Sequence, residues 1–288
     1  MRDYVIFTDS ACDIPAETLE EWGVGYRSLT YIFDGDPRQY GNYELPCPEF
    51  YERVRQGGVA HTSAVNAGAF REGFEEILQQ GKDILYIGFS TGLSGTCDAA
   101  NIAAQELREQ YPEADIRCVD TRGASAGFGL LVYMAVEKKK AGATLEENEQ
   151  YILDNRFHLC HWFTVEDLVY LKRGGRISAT TAFVGNMLNF KPVMHMDDPG
   201  HLINMFKVRG RKASLSALAD KYGELALDKE NGTIFISHGD CLADAQMLGD
   251  MLHERYGANV DKYVYVGPVI GAHTGPGVIA LFFLGKQR

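Results

Sequence analysis

The sequence has no excess of positive charge. Across 288 residues, 28 Lys and Arg stand against 39 Asp and Glu, a net charge of −11. Nucleic acids and anionic membranes are held by cationic faces, so neither is expected as a partner. Long apolar runs are also missing. Val278 to Leu284 is among the longest, far short of the roughly 20 residues a spanning helix needs. Met1-Arg2-Asp3 does not open a basic-then-apolar leader, and no stable membrane insertion is expected. Cys12, Cys47, Cys97, Cys118, Cys160 and Cys241 include no C-x-x-C pair. Scattered cysteines of this kind fit reduced thiols in a cytoplasmic protein. There is no internal repeat and no low-complexity segment.

What is present is an alternation of short apolar runs with amphipathic stretches. Tyr4–Thr8, Ile84–Phe89 and Ile116–Asp120 read as buried strands. Ala16–Trp22, Glu49–Arg55, Ala67–Gln80 and Ala124–Lys139 read as helices, the third capped by Asn66. Such alternation predicts an α/β fold with a mainly parallel sheet. After the polar stretch Lys138–Asn155 the pattern changes. Thr233–His238 and Asn259–Val266 flank a helix over Cys241–Tyr256, and Asp197-Asp198-Pro199-Gly200 sits as a hairpin turn between Val193–Met196 and Leu202–Phe206. We therefore expect an N-terminal α/β domain over residues 1–155 and a C-terminal α+β mixed-sheet domain over 156–288. Clefts between two such domains are favoured places for small ligands.

The richest local signal is Lys82–Ala100. Its apolar run stops at Ser90-Thr91-Gly92-Leu93-Ser94-Gly95-Thr96, and a helical pattern follows with Ala99, Ile102, Ala103 and Leu107 on one face. A strand, a hydroxyl- and glycine-rich turn and a helix N-terminus together make a place for an anion. Gly88-Phe89-Ser90-Thr91-Gly92 also matches the G-x-S-x-G nucleophile elbow, with His238 or His273 as possible triad partners. A serine esterase using Ser90 is therefore one reading, although no HGGG-type oxyanion segment lies upstream. A small-molecule phosphate binder is another. A third is that the glycines only make a tight turn and that Ser94 only caps a helix.

Thr62-Ser63 begins a second expected turn, Ala60 to Asn66, before another helix. Helix N-termini from one parallel sheet often face the same crevice, so Thr62 and Ser94 could grip one anion from two sides. Gly267–Gly277 holds four glycines and two prolines. It reads as a stiff loop that brings His273 and Thr274 close to a ligand. The chain is locally basic between residues 160 and 215, with eight Lys or Arg against four Asp or Glu, leaving −15 for the rest. Its clusters are Tyr170–Ile177 and Lys207–Lys212, suited to phosphate or to an acidic protein surface. Asp9, Asp13 and Asp120 read as strand-end caps because Asp9 and Asp13 lack D-x-D spacing. His158 and His161 lack partners for a metal site.

In this order the pieces resemble the DegV family of bacterial fatty-acid-binding proteins. The resemblance is carried by TDSACDIP (Thr8–Pro15), HTS (His61–Ser63), GLSGT (Gly92–Thr96) and VDTRGASAGFGLLV (Val119–Val132). It continues through EDLVYLKRGGRI (Glu166–Ile177), LNFKPV (Leu188–Val193), KVRGRKAS (Lys207–Ser214) and GPVIGAHTGPG (Gly267–Gly277). It implies a two-domain carrier rather than an enzyme, with no cofactor and one long-chain fatty acid as ligand. Thr62 and Ser94 would hydrogen-bond the carboxylate, with His273, Thr274 and Ser63 nearby. It further implies presentation of the lipid to an ATP-dependent fatty acid kinase, whose acyl-phosphate product feeds phospholipid synthesis. Arg173, Arg176 and Arg209 would then lie on the surface or rim that meets the kinase subunit. Family members commonly follow the Thr-Ser pair with Pro and a second Ser. Here Ala64-Val65-Asn66 stands there, so a looser turn is expected. Buried methylenes contribute about 0.8 kcal/mol each, a dozen giving roughly 10 kcal/mol. Hydrogen bonds to a carboxylate add about 1.5–3 kcal/mol each before desolvation. The tunnel would set affinity and the hydroxyls the choice of headgroup.

Overall fold

The structure, a computed structural model, describes residues 2–177 and 189–288. Leu188, the first residue of the LNFKPV segment, lies outside the described residues. The continuous apolar runs of the first half form a four-stranded parallel sheet, ordered β2-β1-β6-β7. Its strands are β1 (Tyr4–Asp9), β2 (Gly25–Arg27), β6 (Asp83–Gly88) and β7 (Ile116–Asp120). Every residue of β6 is buried, as expected of a central strand covered on both faces. A small antiparallel sheet, not anticipated from the sequence, is built from β3 (Thr30–Phe33), β4 (Gln39–Gly41) and β5 (Ala60–Ser63), with β3 in the middle.

The later strands form a six-stranded mixed sheet, β10-β9-β8-β13-β11-β12. They are β8 (Leu159–Thr164), β9 (Phe190–Met196), β10 (Leu202–Arg209), β11 (Phe235–His238), β12 (Lys262–Tyr265) and β13 (Ile279–Leu284). β9 and β10 form the expected antiparallel hairpin. β11 and β12 run parallel around a helix, and the other pairs are antiparallel.

The helices are α1 (Ala16–Glu21), α2 (Cys47–Arg55), α3 (Ala67–Leu78), α4 (Thr96–Gln110) and α5 (Ala126–Lys140). After these come α6 (Leu145–Asn155), α7 (Val169–Arg173), α8 (Arg211–Leu225), α9 (Leu242–Tyr256) and α10 (Pro268–Thr274). α3 and α4 cover one face of the parallel sheet, α5 lies between the two larger sheets, and α8 and α9 cover the far face of the mixed sheet. One core cluster joins residues of both larger sheets through α5, and a second fills the space under α8 and α9.

The sequence of α5 explains its place. Ala126 to Val132 are all buried, and a helix apolar on every side belongs inside a core. Its two glycines point in nearly opposite directions, because residues two apart on a helix are about 200° apart. A Cβ on Gly127 would meet His161 Nε2 of β8 at 2.2 Å, and one on Gly129 would meet the Cys12 carbonyl at 2.7 Å. The helix therefore approaches β8 on one side and the single 3-10 turn after β1, Ser10–Cys12, on the other as closely as backbone allows. In α4 the buried face is Ala100, Ala103, Ala104 and Leu107, while Ile102 is 50% exposed. The face read from the sequence is thus rotated by about one residue, because the small alanines permit close packing against α3 and β7.

Candidate functional site

Beyond the carboxyl end of β6 lies a cavity of about 160 Å³. Its wall is mainly apolar, with Phe89, Leu93, Phe163, Met196, Val266 and Phe282 among its side chains. The polar atoms in the wall are few. Thr62, Ser63, Ser94, His273 and Thr274, all singled out from the sequence, line it.

Two of the local expectations need correction. Ala60–Ser63 is a strand rather than a turn, because it pairs with β3 in the register Tyr31↔Thr62 and Thr30↔Ser63. The turn is confined to residues 64–66. There Val65 is 5% exposed and Asn66 accepts from the Ala69 amide at 2.9 Å, so burial and a cap hold the segment that lacks proline. Gly267–Gly277, expected as a loop, contains the helix α10 with Pro268 in its first turn. Proline is pre-set for that position, and Gly275 at φ +73° ends the helix.

These two elements create the central contact. His273, in the last turn of α10, faces Thr62 of β5, with Nε2 and Oγ1 2.8 Å apart. Burial, aided by the positive charge of Arg176, pushes the imidazole down to about 4, so it is neutral near pH 7. Its Nδ1 is buried with no partner among the described residues. A proton on Nδ1 would be a stranded donor, so the favoured tautomer carries it on Nε2. Nε2–H then donates to Thr62 Oγ1, and the Thr62 hydroxyl hydrogen is left to point at a ligand. Gly174 makes this placement possible, since a Cβ there would lie 2.0 Å from Nδ1.

Ser94 is held differently. Its Oγ accepts from the Thr96 amide at 3.3 Å and shares a hydrogen with Thr96 Oγ1 at 2.9 Å. With Thr96 as that donor, the Ser94 hydroxyl is also free to donate. Thr274 donates to the Ile270 carbonyl at 3.2 Å, so it offers the cavity only a lone pair. Ser63 is exposed at the cavity edge. These groups together can hold an anionic or hydrogen-bond-accepting headgroup while the apolar wall takes an alkyl chain.

Ser90 is placed elsewhere. It is fully buried, donates to the Gly200 carbonyl at 2.9 Å and accepts from the Gly92 amide at 3.1 Å. A Cβ on Gly92 would lie 2.6 Å from that same Gly200 carbonyl oxygen. The elbow motif is therefore a packing seam between the turn after β6 and the β9–β10 hairpin. Asp9 and Asp120 act as caps. Asp9 accepts from the Ala11 and Phe89 amides and the Tyr86 hydroxyl, and Asp120 from the Arg122 amide and the Thr91 hydroxyl. Asp13 accepts from Ser125 at 2.5 Å, and burial pushes its carboxyl up to about 7.

The three arginines separate. Arg173 is exposed at the end of α7 over the Tyr170 ring, and Arg209 is exposed at the end of β10. Arg176 turns inward and lines the cavity. Part of the basic region is neutralised internally, by Lys191 with Glu166 and by Arg211 with Asp244 at 2.9 Å. Sequence reasoning also missed two polar wall groups, His161 and Ser125. His161 is held neutral by burial and accepts from the Ala124 amide at 3.2 Å. Its signal was the close approach demanded by Gly127, which only the fold reveals. Among the described residues no cluster of His, Cys, Asp and Glu could hold a metal ion, and no helix is long and apolar enough to cross a membrane.

Comparison with known proteins agrees along the whole chain. The family model described as "Uncharacterised protein, DegV family" matches residues 3–286. A DegV domain-containing protein of Clostridium perfringens is 44% identical over 100% of this chain and 99% of its own. A fatty-acid-binding DegV family protein from Thermus thermophilus superposes with a TM-score of 0.88 at 28% identity, covering 99% of this chain and 100% of that one. A stearic-acid-binding protein from Eubacterium ventriosum gives 0.88 at 26% identity, covering 98% of each. The fatty-acid-binding DegV of Bacillus subtilis gives 0.86 at 26%, covering 99% of this chain and 100% of that one.

Proposed function

The chain belongs to the DegV family, and from that premise we propose that it is a carrier for one long-chain fatty acid. The observation that carries this reading is the apolar cavity with the Thr62–His273 pair and Ser94 set into its wall. The carboxylate accepts from the Thr62 and Ser94 hydroxyls, with Ser63 and Thr274 beside them, and the acyl chain occupies the apolar part. The relatives described as binding fatty acids support the same ligand class. Neutral donors hold a carboxylate without consuming it chemically, so the protein has no need of a nucleophile or a cofactor of its own. We read it as a binding protein of the cytoplasm rather than an enzyme.

The reading extends to a partner. A carboxylate held near a protein surface is available to an ATP-dependent fatty acid kinase, and Arg173 and Arg209 are exposed cations suited to docking it. The chain divides after residue 155 in this scheme, since every strand of the mixed sheet follows that point. Denaturation and solvent extraction of purified protein should release about one long-chain fatty acid per chain by mass spectrometry. An empty extract, together with no uptake of added fatty acid, removes the carrier reading. Arg173→Glu should impair acyl-phosphate formation with a kinase and leave lipid uptake intact. Equal loss of both would place Arg173 in the pocket or the fold instead of the docking surface.

A further inference from the structure

Arg288, in the short segment after β13, gives every guanidinium hydrogen to a main-chain carbonyl. Nε donates to Leu159 at 3.3 Å, and Nη1 to Arg122 at 2.8 Å and Asp197 at 3.1 Å. Nη2 donates to Arg156 at 2.6 Å and Thr121 at 3.4 Å. A guanidinium carries five N–H donors, so none is left over. The acceptors come from three places: the turn between β7 and α5, the junction of α6 with β8, and the tip of the β9–β10 hairpin. Burial pulls the guanidinium down to about 10, so it stays charged near pH 7 and its bonds are charge-assisted.

The hairpin tip connects this clamp to the cavity. Among the described residues β10 pairs only with β9, so no further strand steadies the tip. Three of its carbonyls are tied down by side chains. Asp197 accepts from Arg288, Pro199 from Arg122 Nη1 at 2.8 Å, and Gly200 from Ser90. Met196 stands just before the tip and Leu202 just after it, and both line the cavity. Ala124 and Ser125, just beyond Arg122, line it too. Arg288 Nη1 therefore joins two parts of the wall, each within three residues of its lining side chains. Resting on the carrier reading, we propose that Arg288 is a positioning residue for ligand retention: it closes the hairpin tip onto the β7–α5 turn, and the tip is the part of the wall that yields when an acyl chain enters or leaves. The clamp stabilises the closed form equally with the cavity empty or filled. It therefore slows entry and exit by the same factor and leaves the equilibrium affinity unchanged.

The test times release of labelled palmitate into excess unlabelled palmitate for wild type, Arg288→Met, Arg288→Lys, Arg122→Met and Arg117→Met. Losing one charged hydrogen bond from the closed form should speed both release and uptake about tenfold or more in Arg288→Met. Its Kd should stay within about twofold of wild type. Lysine keeps the charge but cannot fill five acceptors in one plane, so Arg288→Lys should fall between. Arg122→Met loosens the same tip from the other side and should also speed release. Arg117, at the start of β7, pairs with Asp115 and Glu149 at 2.8 and 2.6 Å, and its Met variant should lose Tm and keep both rates. A lower Tm with unchanged rates in Arg288→Met would make Arg288 a structural tie and overturn the proposal. A weaker Kd with unchanged uptake would do the same. Should Arg288→Met not fold, unchanged rates in Arg122→Met overturn it instead. A second measurement uses no ligand: amide hydrogen exchange over Asp197–Leu202 should quicken about tenfold in Arg288→Met and hold in Arg117→Met. Unchanged protection there also overturns the proposal. Faster exchange at the tip in a protein whose wild type takes up no palmitate strikes the carrier reading alone.

Discussion

Ser90 and Thr62 carry the same kind of functional group and do opposite things with it. Ser90 lies in the strongest motif of the chain, yet its hydroxyl is spent on the Gly200 carbonyl in a sealed seam. Thr62 lies in no catalytic motif, on a short strand of the smallest sheet. It meets a histidine 211 residues away and leaves its hydrogen free for the cavity. The difference lies in what surrounds each group. A hydroxyl facing a carbonyl across a packed turn holds the protein together. A hydroxyl facing a neutral imidazole at a cavity wall is prepared for a ligand.

Two glycine substitutions test this contrast most sharply. Gly92→Ala puts a Cβ 2.6 Å from the Gly200 carbonyl oxygen, a backbone atom that cannot move without shifting the hairpin. Overpacking of this kind costs about 1–3 kcal/mol, and Tm should fall by about 2–4 °C per kcal/mol. Fatty acid bound per folded chain should not change. Gly174→Ala puts its Cβ against the His273 ring instead, which can rotate away. Calorimetry should therefore show a smaller loss of Tm, and lipid titration a clear loss of affinity. If both variants lose stability and binding in parallel, the two regions are not separable and the contrast is wrong.

The hydroxyls themselves come next. Ser90→Ala strands the buried Gly200 carbonyl, a loss of about 1–2 kcal/mol in stability with lipid uptake unchanged. Thr62→Val removes the free donor and strands the buried His273 Nε2–H, so affinity should fall about three- to tenfold and stability by about 1–2 kcal/mol. A Ser90→Ala protein that binds lipid poorly would bring the elbow back into the site.

Much of the fold could be read from the sequence, because its signals are local. The apolar runs of β1, β6 and β7, the cap at Asn66 and the turn before Leu202 all announce themselves within a few residues. The short strands β3 and β4 did not. They are three or four residues long and exist because they pair with β5 and each other. The site was legible in its members and not in its wiring. Thr62, Ser94 and His273 stood out by composition. The link between Thr62 and His273, the tautomer it sets and the inward turn of Arg176 come from tertiary contacts that no spacing encodes. Glycines misled in the same way: those of α10 and of the elbow suggested loop freedom, and the fold uses several of them for close approach.

The smallest expected effect concerns a third hydroxyl, which lies between the two cases. Ser125 lines the cavity like Thr62 but donates to a buried carboxyl, Asp13, like a packed serine. Burial raises Asp13 to about 7 and Asp9 to about 6, so both favour the protonated form in the fold. A raised folded value gives stability that is present below the ordinary carboxylate range and lost as pH rises through the folded value. His273, depressed to about 4, acts in the other sense: stability rises with pH from there to the ordinary histidine value of about 6.5. Below about pH 6.5 the raised carboxyls are opposed by His273 and by His161, His195 and His238, which burial also lowers, and above that Asp13 acts with little opposition. Tm should therefore decline from about pH 6.5 to 8, with a slope of at most ~1.4 kcal/mol per pH unit per proton. Asp13→Asn should flatten that decline. Asparagine suits the left-handed backbone there, at φ +53°, and its amide oxygen still accepts from Ser125. A calorimetric series from pH 5 to 8 reads the result, and an unchanged slope in Asp13→Asn would mean that Asp13 does not titrate in this window. Lipid affinity should be the same in both proteins, because the hydrogen of Ser125 points at Asp13 and away from the ligand.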